Sequence, residues 1–402
     1  MTTRTRTRAL TAGDTALADF TERLFGHLPR ADQRRWARVY LQGLLTTPGK
    51  KSVRRLAASV TESPTASQSL QQFINASPWD WNPARTELLR WVEERHPVRA
   101  WTIAQVCFPK RGEHSVGVHR RFDPVAGRIV NCQLGFCVFL SLEGMNVPVD
   151  WRLALPGAWV ADPVLRRRAR ISPEAVHQTP EALVLELVDS IAARTSSARP
   201  PVVADLSRLG AAAAALIGVL SRRGYDFLVS VPPALTVRAA ALTHGLDPSR
   251  TPGRSETTAG DITRLGNTSH PYTAPLAGPD ARARRQRIHS ALVRVPEGES
   301  AGRGAQQIYR LFGERPPGRR GGGPVWLTNM NRHRMDDLLH LVRRSARSTA
   351  VLGSLADEFG LLDFEGRSFP GWHHHMTLMS AAYAYAHAHA VREPEERGRL
   401  SA

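Results

Sequence analysis

Lysine is nearly absent from this 402-residue chain: of its 54 basic side chains only Lys50, Lys51 and Lys110 are lysine, which leaves 51 arginines. Acids are scarce as well, 36 against those 54 bases, for a net charge of +18. GC-rich codon usage accounts for arginine in place of lysine, but not for the excess of base over acid. Guanidinium forks match phosphate oxygens two at a time, and a strongly basic surface attracts polyanions. The balance points to a nucleic acid as partner; an anionic membrane surface and a merely solvated basic surface are the alternatives. Cysteine is also rare: Cys107, Cys132 and Cys137 lie in apolar stretches with no Cys-x-x-Cys pair, which argues against a structural zinc site and for buried thiols in a reducing compartment. No long apolar run is present. "AAAAALIGVL" (Ala211–Leu220) is flanked by arginines and falls well short of the ~20 residues that span a bilayer. The opening "MTTRTRTRAL" has no apolar core of the signal-peptide kind; its arginines read as a basic arm. The expectation is a soluble, cytoplasmic, nucleoid-associated protein without a membrane partner. Gly-x-Gly-x-x-Gly, Walker, His-Glu-x-x-His and Gly-x-Ser-x-Gly motifs are all missing, so nothing marks a nucleotide, zinc-protease or serine-hydrolase site.

What is present changes character along the chain. Residues 1–95 carry apolar positions at helical spacing, as in "ADFTERLFGHL" and "RRWARVYLQGLL", and read as an N-terminal helical, DNA-binding domain. In "NPARTELLRWVEERHP", Asn82 is the expected N-cap with Pro83 in the first turn. From residue 96 strands dominate. Trp101–Phe108 is almost wholly apolar, "HSVGVHRRF" (His114–Phe122) alternates and reads as its hairpin partner, and Gly127–Gly144 reads as a long third strand. A helix capped by Thr179, a buried strand ending at Asp205, a further helix and the strand Tyr225–Pro232 follow. This order fits an α/β fold with a ribonuclease-H-like core, a mixed sheet with helices on both faces, over 96–232. Residues 233–325, rich in Gly, Pro, Thr, Ser and Arg, read as an inserted β-rich subdomain. Residues 326–402 read as a C-terminal helical part that completes the core.

"LQQFINASPWDW", "FPKRGEHSVGVHRRF", "GRIVNCQLGF", "VVADL", "VWLTN" and "LLDFEGRSFPGWHHHMTL" stand in this order. Through them the chain, from about Phe20 to about Ala390, resembles insertion-sequence transposases of the DDE superfamily, in the branch whose ribonuclease-H-like core is interrupted by a β-rich insertion. The resemblance implies DNA as partner, and three carboxylates that hold two Mg²⁺ ions ~3.5–4 Å apart for strand cleavage and transfer. The first carboxylate would come from the two positions before the Phe-Pro-Lys turn, which here are Ala104 and Gln105; Asp205 matches the second; the third falls on Thr349. Ala offers a metal nothing, and Gln and Thr are neutral oxygens. The expectation is therefore a degenerate transposase-like protein that binds terminal-repeat-like or nonspecific DNA, with no working metal cofactor. Two alternatives stay open: an enzyme that reuses the cleft around Asp205 for other chemistry, and an active transposase whose acids have moved, with Glu113, Asp226, Asp357 and Glu358 nearest by sequence. A homodimer is compatible with these features.

Phosphate contacts are expected from Lys110, Arg111, Arg120, Arg121, Arg284, Arg285, Arg343, Arg344 and Arg347, against a solvated surface as the bland reading. "GWHHHMTL" suggests a metal only weakly; polar core histidines are the preferred reading, with His387 and His389 at the surface.

Overall fold

The computed structural model describes residues 15–123, 127–210, 212–240, 256–265, 270–274, 286–296, 307–315 and 323–390. Its strands are β1 (Ala100–Pro109), β2 (His119–Asp123), β3 (Arg128–Ser141), β4 (Asn146–Leu153), β5 (Val202–Asp205), β6 (Phe227–Val231), β7 (Thr236–Ala239), β8 (Thr257–Thr258), β9 (His270–Ala274), β10 (Gln286–Arg294), β11 (Tyr309–Arg315) and β12 (Val325–Thr328). Among the described residues they form one twelve-stranded sheet in the order β2-β3-β1-β5-β6-β12-β11-β10-β7-β8, with β4 on β3 and β9 on β10. The centre is parallel: β1 pairs with β5, and β5 with β6. Parallel pairing requires crossovers, and α8 (Pro180–Arg194) and α9 (Ala212–Arg222) supply them. Thr179 caps α8 as expected, its hydroxyl accepting from Ala182 N. The arrangement is a mixed α/β sheet of the ribonuclease-H-like kind.

Three expectations need correction. His114–Phe122 does not pair with Trp101–Phe108. The long β3 lies between, antiparallel to both β1 and β2. The stretch before His119 is a loop because Gly117 adopts φ +74° and a Cβ there would lie 2.9 Å from Ala154 O. A strand was also missed: "NVPVDWRL" forms β4 on the same edge of β3, and Pro148 within it hid the alternation. The third concerns a cap. Helix α5 (Asn82–Glu93) starts at Asn82 itself, and the Asp80 carboxylate accepts from Asn82 N at 2.9 Å. After residue 232, β11 pairs with β12 and β12 with β6.

The remaining helices are α1 (residues 15–25), α2 (Ala31–Thr46), α3 (Val53–Val60), α4 (Ala66–Asn75), α6 (Gly157–Ala161), α7 (Pro163–Ala169), α10 (Ala259–Leu265), α11 (Met335–Glu358) and α12 (Phe369–Ala390). Leu24, Tyr40, Leu70 and Leu88 from the N-terminal helices share one hydrophobic cluster with Trp101, Phe139, Trp151 and Met376. The centre of that cluster is charged. Arg85 on α5 is 1% exposed and donates to Asp150 Oδ1 at 2.7 Å, Trp151 O at 3.0 Å, Thr377 Oγ1 at 2.8 Å and His373 Nδ1 at 3.1 Å. Arg152 and Arg194 also pair with Asp150. Burial pushes the Arg85 pKa down to about 10, which leaves it charged near neutrality. Burial opposes the Asp150 charge, yet Arg152, Arg85 and Arg194 together hold its carboxyl well below the usual range.

The three consecutive histidines of α12 are buried, each on different partners. His373 accepts from Arg85 and stacks on Trp81 at 4.5 Å. His374 lies 2.9 Å from both Ile74 O and Trp79 O. His375 accepts from the Tyr40 hydroxyl and donates to Gly360 O, each at 2.9 Å. His387, expected at the surface, is half-buried with its ring 4.0 Å from that of Tyr383; the side chain of His389 lies outside those described.

Two predictions follow from this core. Replacing Arg85 with Met removes the most buried of the three guanidinium partners of Asp150, leaving Arg152 and Arg194, and takes the donor from His373 and Thr377, so urea unfolding should record a loss of about 3 kcal/mol; a loss under about 1 kcal/mol would show that the pair is dispensable. Burial lowers His374 and His375 to about 4 and His373 well below its ordinary value. The unfolded chain then binds more protons than the folded one between about 6.5 and 4, so stability is full above the unfolded value and falls as pH drops through that window. The thermal midpoint should drop between pH 7 and pH 5, and the His375→Gln protein, less stable at pH 7, should show a shallower slope.

Candidate functional site

Register decides which side chains meet. Ile103 on β1 lies opposite Ala204 on β5, which brings Ala104 beside Asp205, and Asp205 lies opposite Ser230 on β6. Side chains alternate along a strand, so Ala104 shares the face of Ala100; Ala100 packs with Val203, Leu228 and Leu338 of α11. That face is thus roofed by α11. Asn146 of β4 fixes the roof, donating to Arg344 O at 2.8 Å and Ser348 Oγ at 2.7 Å. Ser345, Ala346 and Thr349 are spaced i, i+1 and i+4 on α11 and turn back over the strand ends.

The result is a cleft of about 460 Å³ whose lining includes Ala104, Gln105, Asp205, Arg208, Ser230 and Thr349. The structure therefore brings the four positions singled out in the sequence to one place. Strand alternation separates the first two, with Ala104 on the face roofed by α11 and Gln105 of opposite parity. Asp205 is exposed, and its Oδ1 accepts from Ser207 N at 2.9 Å. Among the described residues it is the one carboxylate lining the cleft, and the guanidinium-bearing Arg208 is on its wall. Among the described residues no group of three or more His, Cys, Asp or Glu is placed to hold a metal ion. Glu113 is exposed in the loop after β1. Asp226 precedes β6 beside Val202, at the opposite end from Ser230. Asp357 and Glu358 end α11, ~12 Å beyond Thr349 along the helix.

The expected phosphate contacts divide. Arg111 and Arg120 are exposed, and Arg121, Arg343 and Arg347 half-buried. Lys110 and Arg344 instead have internal partners. Lys110 Nζ donates to Phe364 O at 2.8 Å, and burial lowers its pKa. Arg344 donates to Leu142 O and, at 3.1 Å, to Glu143, tying α11 to the turn between β3 and β4. Arg284 and Arg285 lie outside the described residues. A group not singled out in the sequence joins Arg111: Arg167 and Arg168 of α7 are exposed, and Arg168 donates to His114 Nδ1 at 2.6 Å. The run "RRRAR" (166–170) was the available signal. The three cysteines are free thiols, with Cys132 and Cys137 buried and Cys107 half-buried. Among the described residues no helix is long and apolar enough to cross a membrane.

No curated protein matches the chain. A family model described as DDE superfamily endonuclease matches residues 23–299, which holds β1 and β5 with Ala104 and Asp205 but stops before α11 and Thr349. The match spans more than half of the chain, and with the mixed sheet it places this protein in the DDE superfamily endonuclease family.

Proposed function

We propose that this protein is a DNA-binding, transposase-like member of its family whose cleft does not sustain two-metal strand cleavage. The observation that carries this reading is the donor set: one carboxylate, Asp205, among lining residues that include Ala104, Gln105, Thr349 and Arg208. Two Mg²⁺ ions bring four positive charges, and hard dications need several oxygens of which most are carboxylates. Asp205 with neutral hydroxyl and amide oxygens does not fit that pair, and the Arg208 guanidinium adds repulsion. Asp205 itself, exposed and held by Ser207 N, remains able to accept a hydrogen bond from water or a sugar hydroxyl.

DNA binding rests on charge. The net charge is +18 and is carried almost wholly by arginine. Arg111, Arg120, Arg167 and Arg168 are exposed on neighbouring elements, and Arg35 and Arg38 are exposed on α2 of the N-terminal helical part. Such contacts position DNA without reading its sequence. On this reading residues 1–95 and the face carrying Arg111 are the DNA-holding parts, with Arg343 and Arg347 on α11 at the cleft margin.

Three outcomes are expected. Purified protein should leave supercoiled plasmid intact in Mg²⁺ or Mn²⁺; nicking that Asp205→Ala abolishes would refute the reading. Joint Ala104→Asp and Thr349→Glu substitution should tighten Mn²⁺ binding by about tenfold or more, because it completes an acidic set. Affinity for duplex DNA should fall roughly 10³-fold between 50 and 200 mM salt if six or more phosphates are held.

A further inference from the structure

The strand register leaves one element projecting. The last residue of β1 with a partner on β3 is Pro109, opposite Cys132, so Arg128–Asn131 of β3 pair with β2 and not with β1. Among the described residues, the sheet beyond Cys132 continues only as a two-stranded ribbon. On one face of it Phe122 and Ile129 are direct cross-strand partners. They are 58% and 59% exposed. Arg120, exposed and two residues from Phe122, stands on that same face, opposite Asn131.

The base of the ribbon is firmly held. Asn131 Nδ2 donates to Lys110 O at 3.2 Å and Gly112 O at 2.7 Å, which fixes the loop carrying Arg111 against it. Trp159 of α6 donates to Val118 O at 2.9 Å, and Arg168 of α7 to His114 at 2.6 Å. The apolar pair therefore stands on a ribbon tied to a loop and a short helix that carry exposed Arg111, Arg167 and Arg168, with Arg120 on the ribbon itself and Glu113 as the exposed acid of that loop. As a cross-strand pair they add only about 0.2–1 kcal/mol to the ribbon, and more than half of each side chain is left in water. Proteins that bend DNA use such side chains: Phe, Leu, Ile or Met pushed between base pairs from the minor groove, with flanking basic side chains on the phosphates.

We propose that the β2–β3 ribbon is a wedge for duplex DNA, with Phe122 and Ile129 entering a base step while Arg120 and Arg111 hold the adjoining phosphates. This rests on the DNA-binding reading above and adds to it the deformation of the duplex. The charge of the surrounding surface selects a polyanion over an apolar protein partner.

Ring closure tests it. A linear duplex of about 120 bp with cohesive ends, shorter than the DNA persistence length, closes slowly under ligase unless it is bent. The full chain should accelerate closure by roughly tenfold or more. Joint Phe122→Ala and Ile129→Ala substitution should return closure to the protein-free rate, weaken binding by about tenfold, and leave the salt slope unchanged because the phosphate contacts persist. Phe122→Leu should keep the acceleration, and Val176→Ala, at an exposed apolar residue elsewhere, should alter nothing. A native protein that shifts the duplex on a gel without speeding closure overturns the wedge and leaves DNA binding standing. A native protein that does not shift the duplex overturns both. Acceleration that survives the double substitution overturns the wedge, as does a double variant that loses only self-association or binding to anionic phosphatidylglycerol vesicles.

Discussion

The fold depends on one buried cation. Arg85 is 1% exposed, and a guanidinium so placed is tolerable only when its charge and its donors are matched. The partners come from far along the chain: Asp150 and Trp151 on β4, Thr377 and His373 on α12. Satisfying that one side chain fixes α5, β4 and α12 relative to one another. The helices of the first 95 residues and the closing helix are thereby locked onto the sheet. The histidine run continues the lock, with His374 on Ile74 and Trp79 and His375 on Tyr40. With its Nδ1 lone pair used to accept from Tyr40, the His375 ring has to be neutral, so the arrangement is tied to pH as well as to shape.

From that lock the geometry of the cleft follows, while its charge does not. β4 holds α11 through Asn146, Arg344 and Ser348, and α11 in turn sets Thr349 over the ends of β1 and β5. None of these contacts involves a carboxylate in the cleft. Three acids gathered there would repel one another without metal, a cost that the neutral side chains of Ala104 and Thr349 do not incur. A scaffold held by its apolar core and by the Arg85 cluster, away from the strand ends, can change residues at those ends with little effect on folding. The proposed separation of DNA holding from DNA cutting needs that independence.

The sequence was legible where structure is local or the pattern is long. β1, β3, α8, β5 and α12 follow from apolar runs, the Thr179 cap and the alternation of strands with helices, and the ordered segments sufficed to gather Ala104, Gln105, Asp205 and Thr349. Partnership was harder to read. His114–Phe122 alternates well enough to be a strand partner for β1, but nothing local says that β3 will come between them. β4 was hidden by Pro148, whose ring suits an edge position on β3. Lys110 and Arg344 look like phosphate contacts in a linear reading. Only the fold shows that Phe364 O and Leu142 O accept their hydrogen bonds. Arg85 carries no local mark at all, since it sits in an ordinary helical pattern.

Arginine thus has two roles in this molecule, and the net charge confuses them. Arg85, Arg152, Arg194 and Arg344 are used internally on carboxylates and carbonyls. Arg111, Arg120, Arg167 and Arg168 face outward from a loop, a ribbon and a short helix that Asn131, Trp159 and His114 tie together. On the proposed reading a polyanion meets the second group only. Because those elements are already fixed to one another, little conformational freedom would be lost on the proposed binding of phosphates, which would leave binding free energy for deforming the duplex. An apolar pair at the centre of so rigid a basic surface is where that surplus would be spent.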